Sequence, residues 1–519
     1  MARQPKPKNE KIADALKAAK TAAGGGHVLQ TKKLTRSQAT VLAQAGWLLD
    51  VHAGWKALVT PGTEEGDTIP FFSNYWEFVR KYLNDRLGDD YVLSPIPSLA
   101  LHSDLYSIPV QLAVTTTRTT QGPVALLHGV GLMVISDARY DTSGAVLRDG
   151  GLRILPQERA LAAMPAASYR APSAELTAAV ATVRNIPELA RLLLKNSTGG
   201  PAAGRLIAAL KEVGRARDAE IIEKSFAAAG VEISVSTPMG NFRTLATADV
   251  RLKSGIAARL TSLWSQMSAA LADVPRPNSN LEAFRTSTSY KITAAIKEVY
   301  VNDAYNSLSI EGYQVTPDLI QRVAAGTWDL GRHEQDKKAL SALAARGYYE
   351  AFNATVQTIV DIHAGAPDID TLERATLDWR GLLFSPAAKA GLIPVDSLAG
   401  YRQSPVYIRG SMHVPPPHDK LMDAMETLYN LLRAEKDPWI RAVLGHFFFV
   451  HIHPFPDGNG RTGRFLMNAL FVTSGYEWTV LRVSQRTRYF AALERATIEG
   501  NPSDLSDFIA GEMTAGGKE

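Results

Sequence analysis

One stretch constrains this chain more than any other: RAVLGHFFFVHIHPFPDGNGRTGRFLMNALFVTSG, residues 441–475. Its first twelve residues are apolar at helical spacing, Pro454 and Pro456 end that helix, and a second apolar helix starts near Arg461 and stops at Gly475. Two apolar helices joined by so short a corner must bury each other, which calls for a helical core. Between them, Gly458 and Gly460 bracket Asn459, so successive backbone N–H groups can turn toward one point and form an anion nest. The next helix adds the positive end of its dipole there. Arg461 and Arg464 are three apart on its first turn and share a face, which suits a polyphosphate. Asp457 stands at the mouth, able to hold Mg²⁺ through one protein oxygen while phosphates and water supply the rest. His453 leads the loop and could accept a proton from an incoming hydroxyl. Helices also allow plainer readings: Phe455, Phe465 and Leu466 as core, and Arg461 and Arg464 as a solvated face. A metal set of His446, His451 and His453 is disfavoured, since residues five and seven apart do not converge on a helix.

The chain has 519 residues, 45% hydrophobic and 21% charged, the balance of a globular protein of about three folding units. It has no cysteine. That excludes disulfide scaffolds, cysteine zinc sites, iron–sulfur clusters and thiol nucleophiles, and fits a reducing cytoplasm, the expected location. No apolar run approaches the roughly 20 residues of a membrane span. The opening MARQPKPKNEKIADALKAAK has basic residues without an apolar core behind them, so it is not read as a Sec signal. Residues 1–36 carry nine Lys and Arg (Arg3, Lys6, Lys8, Lys11, Lys17, Lys20, Lys32, Lys33, Arg36) against Glu10 and Asp14, while the whole chain nets +4. Such an arm is either a polyanion-binding segment or a plain solvated tail.

The expected organisation is multidomain, with a mixed α/β N-terminal half containing a winged helix, followed by an all-α core. Residues 1–30 read as a basic flexible tail ending in Gly24-Gly25-Gly26. Residues 31–62 read as a helix capped by Thr35 and stopped by Gly46, then strands Trp47–Val51 and Trp55–Val59, the back half of a winged helix. Residues 63–274 mix strand patterns (Ile108–Thr115, Val130–Ser136) with helical ones (Ala174–Lys195, Gly204–Gly214, Ser254–Ala272) and assemble no catalytic constellation. Residues 275–284, opening PRPNSN, read as a linker, 285–512 as the helical core and 513–519 as a tail.

The twelve residues HPFPDGNGRTGR, His453 to Arg464, are similar to the full motif of the Fic family of nucleotidyltransferases, His-x-Phe-x-Asp/Glu-Gly-Asn-Gly-Arg-x-x-Arg, with every specified position filled. The resemblance implies an all-helical core and transfer of AMP from Mg²⁺-bound ATP to a Ser, Thr or Tyr hydroxyl of a target protein. By position it makes His453 the general base, Phe455 the anchor of the loop and Asp457 the Mg²⁺ ligand. Gly458, Asn459 and Gly460 would hold the α- and β-phosphates, Arg461 the β/γ end and Arg464 the γ-phosphate. Glycine at 460, where small kinase-like relatives carry lysine, favours nucleotidyl over phosphoryl transfer.

Further segments extend the resemblance. NDAYNSLSIEGYQVT contains Ser307, Glu311 and Gly312 at the spacing of the family's inhibitory motif, Ser/Thr-x-x-x-Glu-Gly/Asn, which implies that Glu311 pairs with Arg464 and blocks the γ-phosphate site. GYRQSPVYIRGSMHVPPP resembles the family's β-hairpin flap in Gly400, Arg402, Val406, Ile408, Gly410 and Val414 to Pro417. That implies that Val406, Tyr407 and Ile408 dock an extended target segment. Arg488-Tyr489-Phe490 and Leu493 resemble the closing helix, with Tyr489 or Phe490 either near adenine or in the core. Residues 30–250 are similar to AbiEi-type antitoxins, which implies possible DNA contacts through the winged helix and basic tail. The reading is thus an autoinhibited protein adenylyltransferase, with ATP as donor and Mg²⁺ as cofactor. The alternatives are a DNA-binding regulator whose Fic domain senses nucleotide, a deAMPylase, or transfer of another diphosphate-linked group. A homodimer is left open, and no membrane contact is expected.

Overall fold

The computed structural model describes residues 7–516 apart from 63–66, 120–121, 138–141, 149, 196–198, 235–239, 241, 243–253 and 328–335. Arg3, Lys6 and residues 517–519 therefore lie outside the described residues. The chain divides into two compact units: residues up to Phe242 together with Val406–Pro415, and residues 243–405 together with 416–519.

The first unit corrects the expectation of a flexible tail. Helix α1 (Lys8–Ala23) is formed, and Gly24 stops it in a left-handed conformation. Ala15, Ala19 and Ala23 are buried along one stripe, against Leu29, Leu34, Leu42 and Leu58. The four-residue spacing gives an alanine-rich helix one flat apolar side, while its lysines lie on the remainder. Strand β1 (Val28–Gln30) follows, then α2 (Arg36–Gln44), whose Thr35 and Gln38 form a reciprocal capping box. Strands β2 (Leu48–His52) and β3 (Trp55–Leu58) complete an antiparallel sheet in the order β1-β3-β2.

Beyond it, α3 (Tyr75–Leu87) packs Tyr75, Phe78, Val79 and Tyr82 into the core of a mixed six-stranded sheet. Its strands are β4 (Val92–Leu93), β5 (Gln111–Thr116), β6 (Val124–Ala125), β7 (Gly131–Ser136), β8 (Val146–Arg148) and β9 (Leu152–Ile154), in the order β6-β7-β5-β4-β9-β8. The β5–β7 and β4–β9 pairs are parallel. Helices over Gln157–Ala162, Ala174–Thr182, Ile186–Lys195, Gly199–Glu212 and Ala216–Ala228 form a second core. The single helix expected over 174–195 is broken at Val183–Asn185.

The expected β-hairpin flap is not formed. Residues 401–415 contain a turn, with the Ser411 N–H donating to the Ile408 carbonyl at 3.2 Å, and no strand. The alternation of Val406 and Ile408 finds no partner strand among the described residues. Instead, residues 406–415 belong to the first unit, where the Ile108 N–H donates to the Met412 carbonyl at 2.8 Å and Met412 and Val414 pack on apolar side chains.

The second unit is all-helical among its described residues. It begins earlier than the expected boundary at 285. Helix α4 (Gly255–Leu271) is buried nearly all round and packs on the helices Leu421–Ala434 and Pro438–Ile452, so it is core and not a connector. Helix Leu281–Thr286 occupies part of the expected linker. The elements that frame the site are α5 (Tyr300–Ile310), α6 (Asp336–His363), α7 (Asp368–Lys389), α8 (Leu421–Ala434), α9 (Pro438–Ile452), α10 (Asn459–Thr473), α11 (Arg486–Glu499) and α12 (Ser503–Gly516). Helices α9 and α10 carry the apolar stretches on either side of HPFPDGNGRTGR and are buried almost throughout. Among the described residues no helix is long and apolar enough to cross a membrane.

Candidate functional site

The corner between α9 and α10 is shaped in part by one of its own side chains. Asn459 Oδ1 accepts from the Phe455 N–H at 2.9 Å, and its Nδ2 donates to the Phe455 carbonyl at 2.9 Å. The expected phosphate-holding role thus leaves Asn459 only its backbone, because its side-chain amide is spent shaping the loop. Phe455 is fully buried between the rings of Tyr401 and Phe449, as an anchor should be. Gly458 has φ +89°, and a Cβ there would fall 2.7 Å from the Phe384 ring, so glycine is required twice over. The loop therefore delivers the first backbone N–H groups of α10 with no side chain on Gly458 or Gly460 to cover them.

Two arginines flank that helix start. Arg461 is buried, with its guanidinium between the Tyr313 ring at 5.0 Å and the Phe384 ring at 4.9 Å, and 3.4 Å from the Asp457 carboxylate. Arg464 is buried and donates from Nε to Ser307 Oγ at 2.9 Å, and from Nη2 to the Ser307 carbonyl at 3.1 Å and Glu311 Oε1 at 2.7 Å. Arg461 Nε and Arg464 Nη1 are buried with no acceptor among the described residues. A buried unpaired guanidinium N–H is costly, and an anionic ligand would satisfy it. Burial alone would lower the Arg464 pKa; Glu311 outweighs it, and the net shift is upward. Burial would likewise raise Glu311, but the Arg464 and Arg461 charges hold its carboxyl below the ordinary glutamate range. The Glu311 carboxylate lies against Gly460, where a Cβ would collide with it. An acid thus occupies the mouth of the nest. It arrives there because α5 ends at Ile310, and Gly312, at φ +89°, turns the chain away.

His453 caps α9 in a left-handed conformation, φ +53° and ψ +59°. Its Nδ1 lies 3.1 Å from the Val450 carbonyl, so Nδ1 must carry the proton, and Nε2 keeps a lone pair. Burial depresses its pKa below the usual histidine value, against the pull of the Val450 carbonyl and of the Glu311 and Asp457 charges. A neutral imidazole with a free Nε2 is the form a general base needs near neutrality. Asp457 is 63% exposed at the loop mouth.

Residues 379–471 match the Fic/DOC family model. This stretch is a Fic domain. Curated relatives include the protein adenylyltransferase Fic of Drosophila sechellia, 31% identical over 226 residues that make up 41% of this chain and 40% of the relative. That of Nematostella vectensis is 30% identical over 226 residues, 43% of this chain and 48% of the relative. The chain therefore spans less than half the length of the curated relatives it matches. Fic-1 (aa134–508) from C. elegans superposes with a TM-score of 0.36 at 17% identity, covering 69% of this chain and 89% of that one, too loosely to carry an argument.

The Fic domain brings His453, Asp457, Gly458, Asn459, Gly460, Arg461 and Arg464 to one corner, and Ser307 and Glu311 reach the same corner from α5, outside the matched stretch. Tyr489 is placed differently from a base-stacking ring: it is 1% exposed, and its hydroxyl lies 2.8 Å from His446 Nε2. It backs Arg464 instead. Phe490, at 39% exposure, keeps an open face beneath the Arg486 guanidinium. Val406, Tyr407 and Ile408 are half-buried and pack with the first unit. The sequence reading missed Tyr313, Phe384 and the carbonyl-gripping role of Arg402. For Tyr313 the signal was its position directly after Glu311-Gly312; for Phe384 there was none.

Proposed function

We propose that this protein is an adenylyltransferase that moves AMP from ATP to a Ser, Thr or Tyr hydroxyl of a protein, and that Glu311 restrains it. The observation that carries the reading is the pair of buried arginines at the start of α10, with Arg461 Nε and Arg464 Nη1 lacking acceptors and His453 Nε2 free beside them. A helix N-terminus flanked by two guanidiniums fits a triphosphate once the Glu311 carboxylate gives way. Glycine at 460 adds no cation beyond the two arginines, where small kinase-like relatives carry lysine. Among the described residues no set of three His, Asp or Glu could hold a metal. Asp457 would be a protein ligand of a magnesium ion carried by the nucleotide, which would supply charge neutralisation on the phosphates. The target oxygen attacks the α-phosphorus, its proton passes to His453 Nε2, and the bond to the β-phosphate oxygen breaks to release pyrophosphate. The adenylyltransferase names of the curated relatives support the same reaction class.

The test uses ATP labelled at the α- or γ-phosphate. Glu311→Gly should incorporate α-label into the protein itself or a target, and adding His453→Ala should abolish this while ATP still binds. Incorporation of γ-label instead would overturn nucleotidyl transfer, and release of AMP from a labelled target would point to the reverse, deAMPylating direction.

A second reading concerns the first unit. The order α1-β1-α2-β2-β3 with sheet order β1-β3-β2 supports a winged helix, and Lys32, Lys33 and Arg36 are exposed just before and at the start of α2. Basic side chains at the start of a recognition helix suit duplex phosphates. Binding to a fluorescent duplex at about 50 mM salt should weaken steeply on raising salt and on Lys33→Glu with Arg36→Glu. Absence of binding at low salt would remove this reading.

A further inference from the structure

Arg402 is 2% exposed and, among the described residues, hydrogen-bonds to no carboxylate. Burial pushes its guanidinium down to about 10. Keeping a cation in such a place is expensive unless its donors are all used. They are used on main-chain carbonyls: Nε donates to His453 O at 2.8 Å, Nη1 to Ser404 O at 3.0 Å and Nη2 to Pro416 O. Its own N–H donates to Pro454 O at 2.9 Å. Arg402 thus grips two consecutive peptides at the corner where His453 sits.

That corner needs an external hold. His453 is left-handed, a conformation that costs a non-glycine residue about 1–2 kcal/mol. It also precedes Pro454, whose ring favours an extended residue before it. Released, the His453 peptide would relax and carry the imidazole with it. The same guanidinium also ties Ser404 O to Pro416 O, the two ends of the excursion that contains residues 406–415.

From this geometry we propose that Arg402 is the positioning residue of His453, fixing the imidazole through its carbonyl while closing the neck of the 405–415 loop. It acts through His453 and does not touch the nucleotide. Lysine would keep the charge but offers one donor cluster on a flexible stem, not a planar fork spanning three carbonyls.

The proposal rests on His453 being the base, and the experiment separates the two. In the Glu311→Gly background, Arg402→Lys should lower kcat for AMP transfer about 100-fold, the scale of a misplacement near 1 Å, with KM for ATP unchanged. Methylguanidinium should partly restore Arg402→Ala. Independently of activity, the His453 Nδ1–H resonance in histidine-labelled full-length protein, assigned through His453→Ala, should persist in Glu311→Gly and be lost or displaced in Arg402→Lys. An unmoved resonance in both Arg402 variants, or an unchanged kcat, would overturn the positioning role. A silent Glu311→Gly enzyme with a displaced Arg402→Lys resonance would overturn the adenylyltransferase reading and leave the positioning role supported.

Discussion

Glu311→Gly is the perturbation whose size the structure sets most directly. Arg464 makes three hydrogen bonds, two to Ser307 and one to Glu311. Removing the carboxylate leaves both Ser307 bonds, so the guanidinium stays aimed at the start of α10. Cutting a fully buried pair costs about 3–5 kcal/mol because a charge is stranded. Here Glu311 is 28% exposed, and an incoming phosphate replaces it, so the competing interaction is one charge-assisted hydrogen bond of about 1.5–3 kcal/mol. Taking about 2 kcal/mol, transfer at ATP well below KM should rise about 30-fold. Initial rates of α-label incorporation measure this. Glu311→Gln divides the cause further. If charge is the block, glutamine should release most of the inhibition; if volume over Gly460 is the block, glutamine should stay as silent as wild type. A rise below twofold for Glu311→Gly would refute competition at Arg464 altogether. The sign with pH also follows. A carboxyl held below its ordinary value keeps its ion pair above that value and loses it only as pH falls through the lowered one. Inhibition should therefore not lift anywhere between about pH 5 and 9.

Other perturbations test the frame around that contact. Asn459→Ala removes both bonds to the Phe455 backbone in a buried loop and should cost about 2–3 kcal/mol in urea unfolding while weakening ATP binding; unchanged unfolding would refute the loop-shaping role. Arg461→Lys cannot lie flat between Tyr313 and Phe384 and should weaken ATP binding about tenfold by calorimetry, with no change in the acid limb of the rate profile. That acid limb in Glu311→Gly should fall below pH 6.5, because burial keeps His453 neutral to lower pH than a free imidazole. Stability has its own pH signature. Burial pushes His446 down to about 4 and Asp303 up to about 6, the latter despite the Tyr348 hydroxyl at 2.6 Å. Below pH 6.5 the unfolded chain takes up a proton that buried His446 refuses, whereas below 6 the folded chain takes one up at Asp303. The slopes oppose, each worth about 3 kcal/mol across its range. His446→Asn should make stability rise on acidification from pH 6 to 4, and Asp303→Asn should make it fall more steeply; parallel curves for the two variants would refute the assignment.

How much of this was legible in the sequence follows the range of the interactions involved. The α9–loop–α10 corner was legible because its determinants are neighbours: two prolines, two glycines, and arginines one turn apart. Glu311 was legible only through its spacing from Ser307 and Gly312, since nothing local says that an acid ending α5 lands on an arginine more than 150 positions later. Helix α1 was misread because lysines dominated the composition, although alanines at 15, 19 and 23 carried the four-residue period of a packed face. The flap was misread for the opposite reason. Val406 and Ile408 alternate as a strand would, but pairing is decided by a neighbour, and residues 406–415 find theirs in the loop at Ile108. The roles of Phe384, Tyr313 and Arg402 depend on which surfaces meet after folding, and Arg402 shows why such roles stay hidden. It binds carbonyls, which every residue has, so no partner side chain in the sequence could have announced it. A site of this kind is therefore written twice, once in a short motif that states the chemistry and once in scattered side chains that hold the motif's backbone. Substitutions in the second set should change rate without changing what is bound.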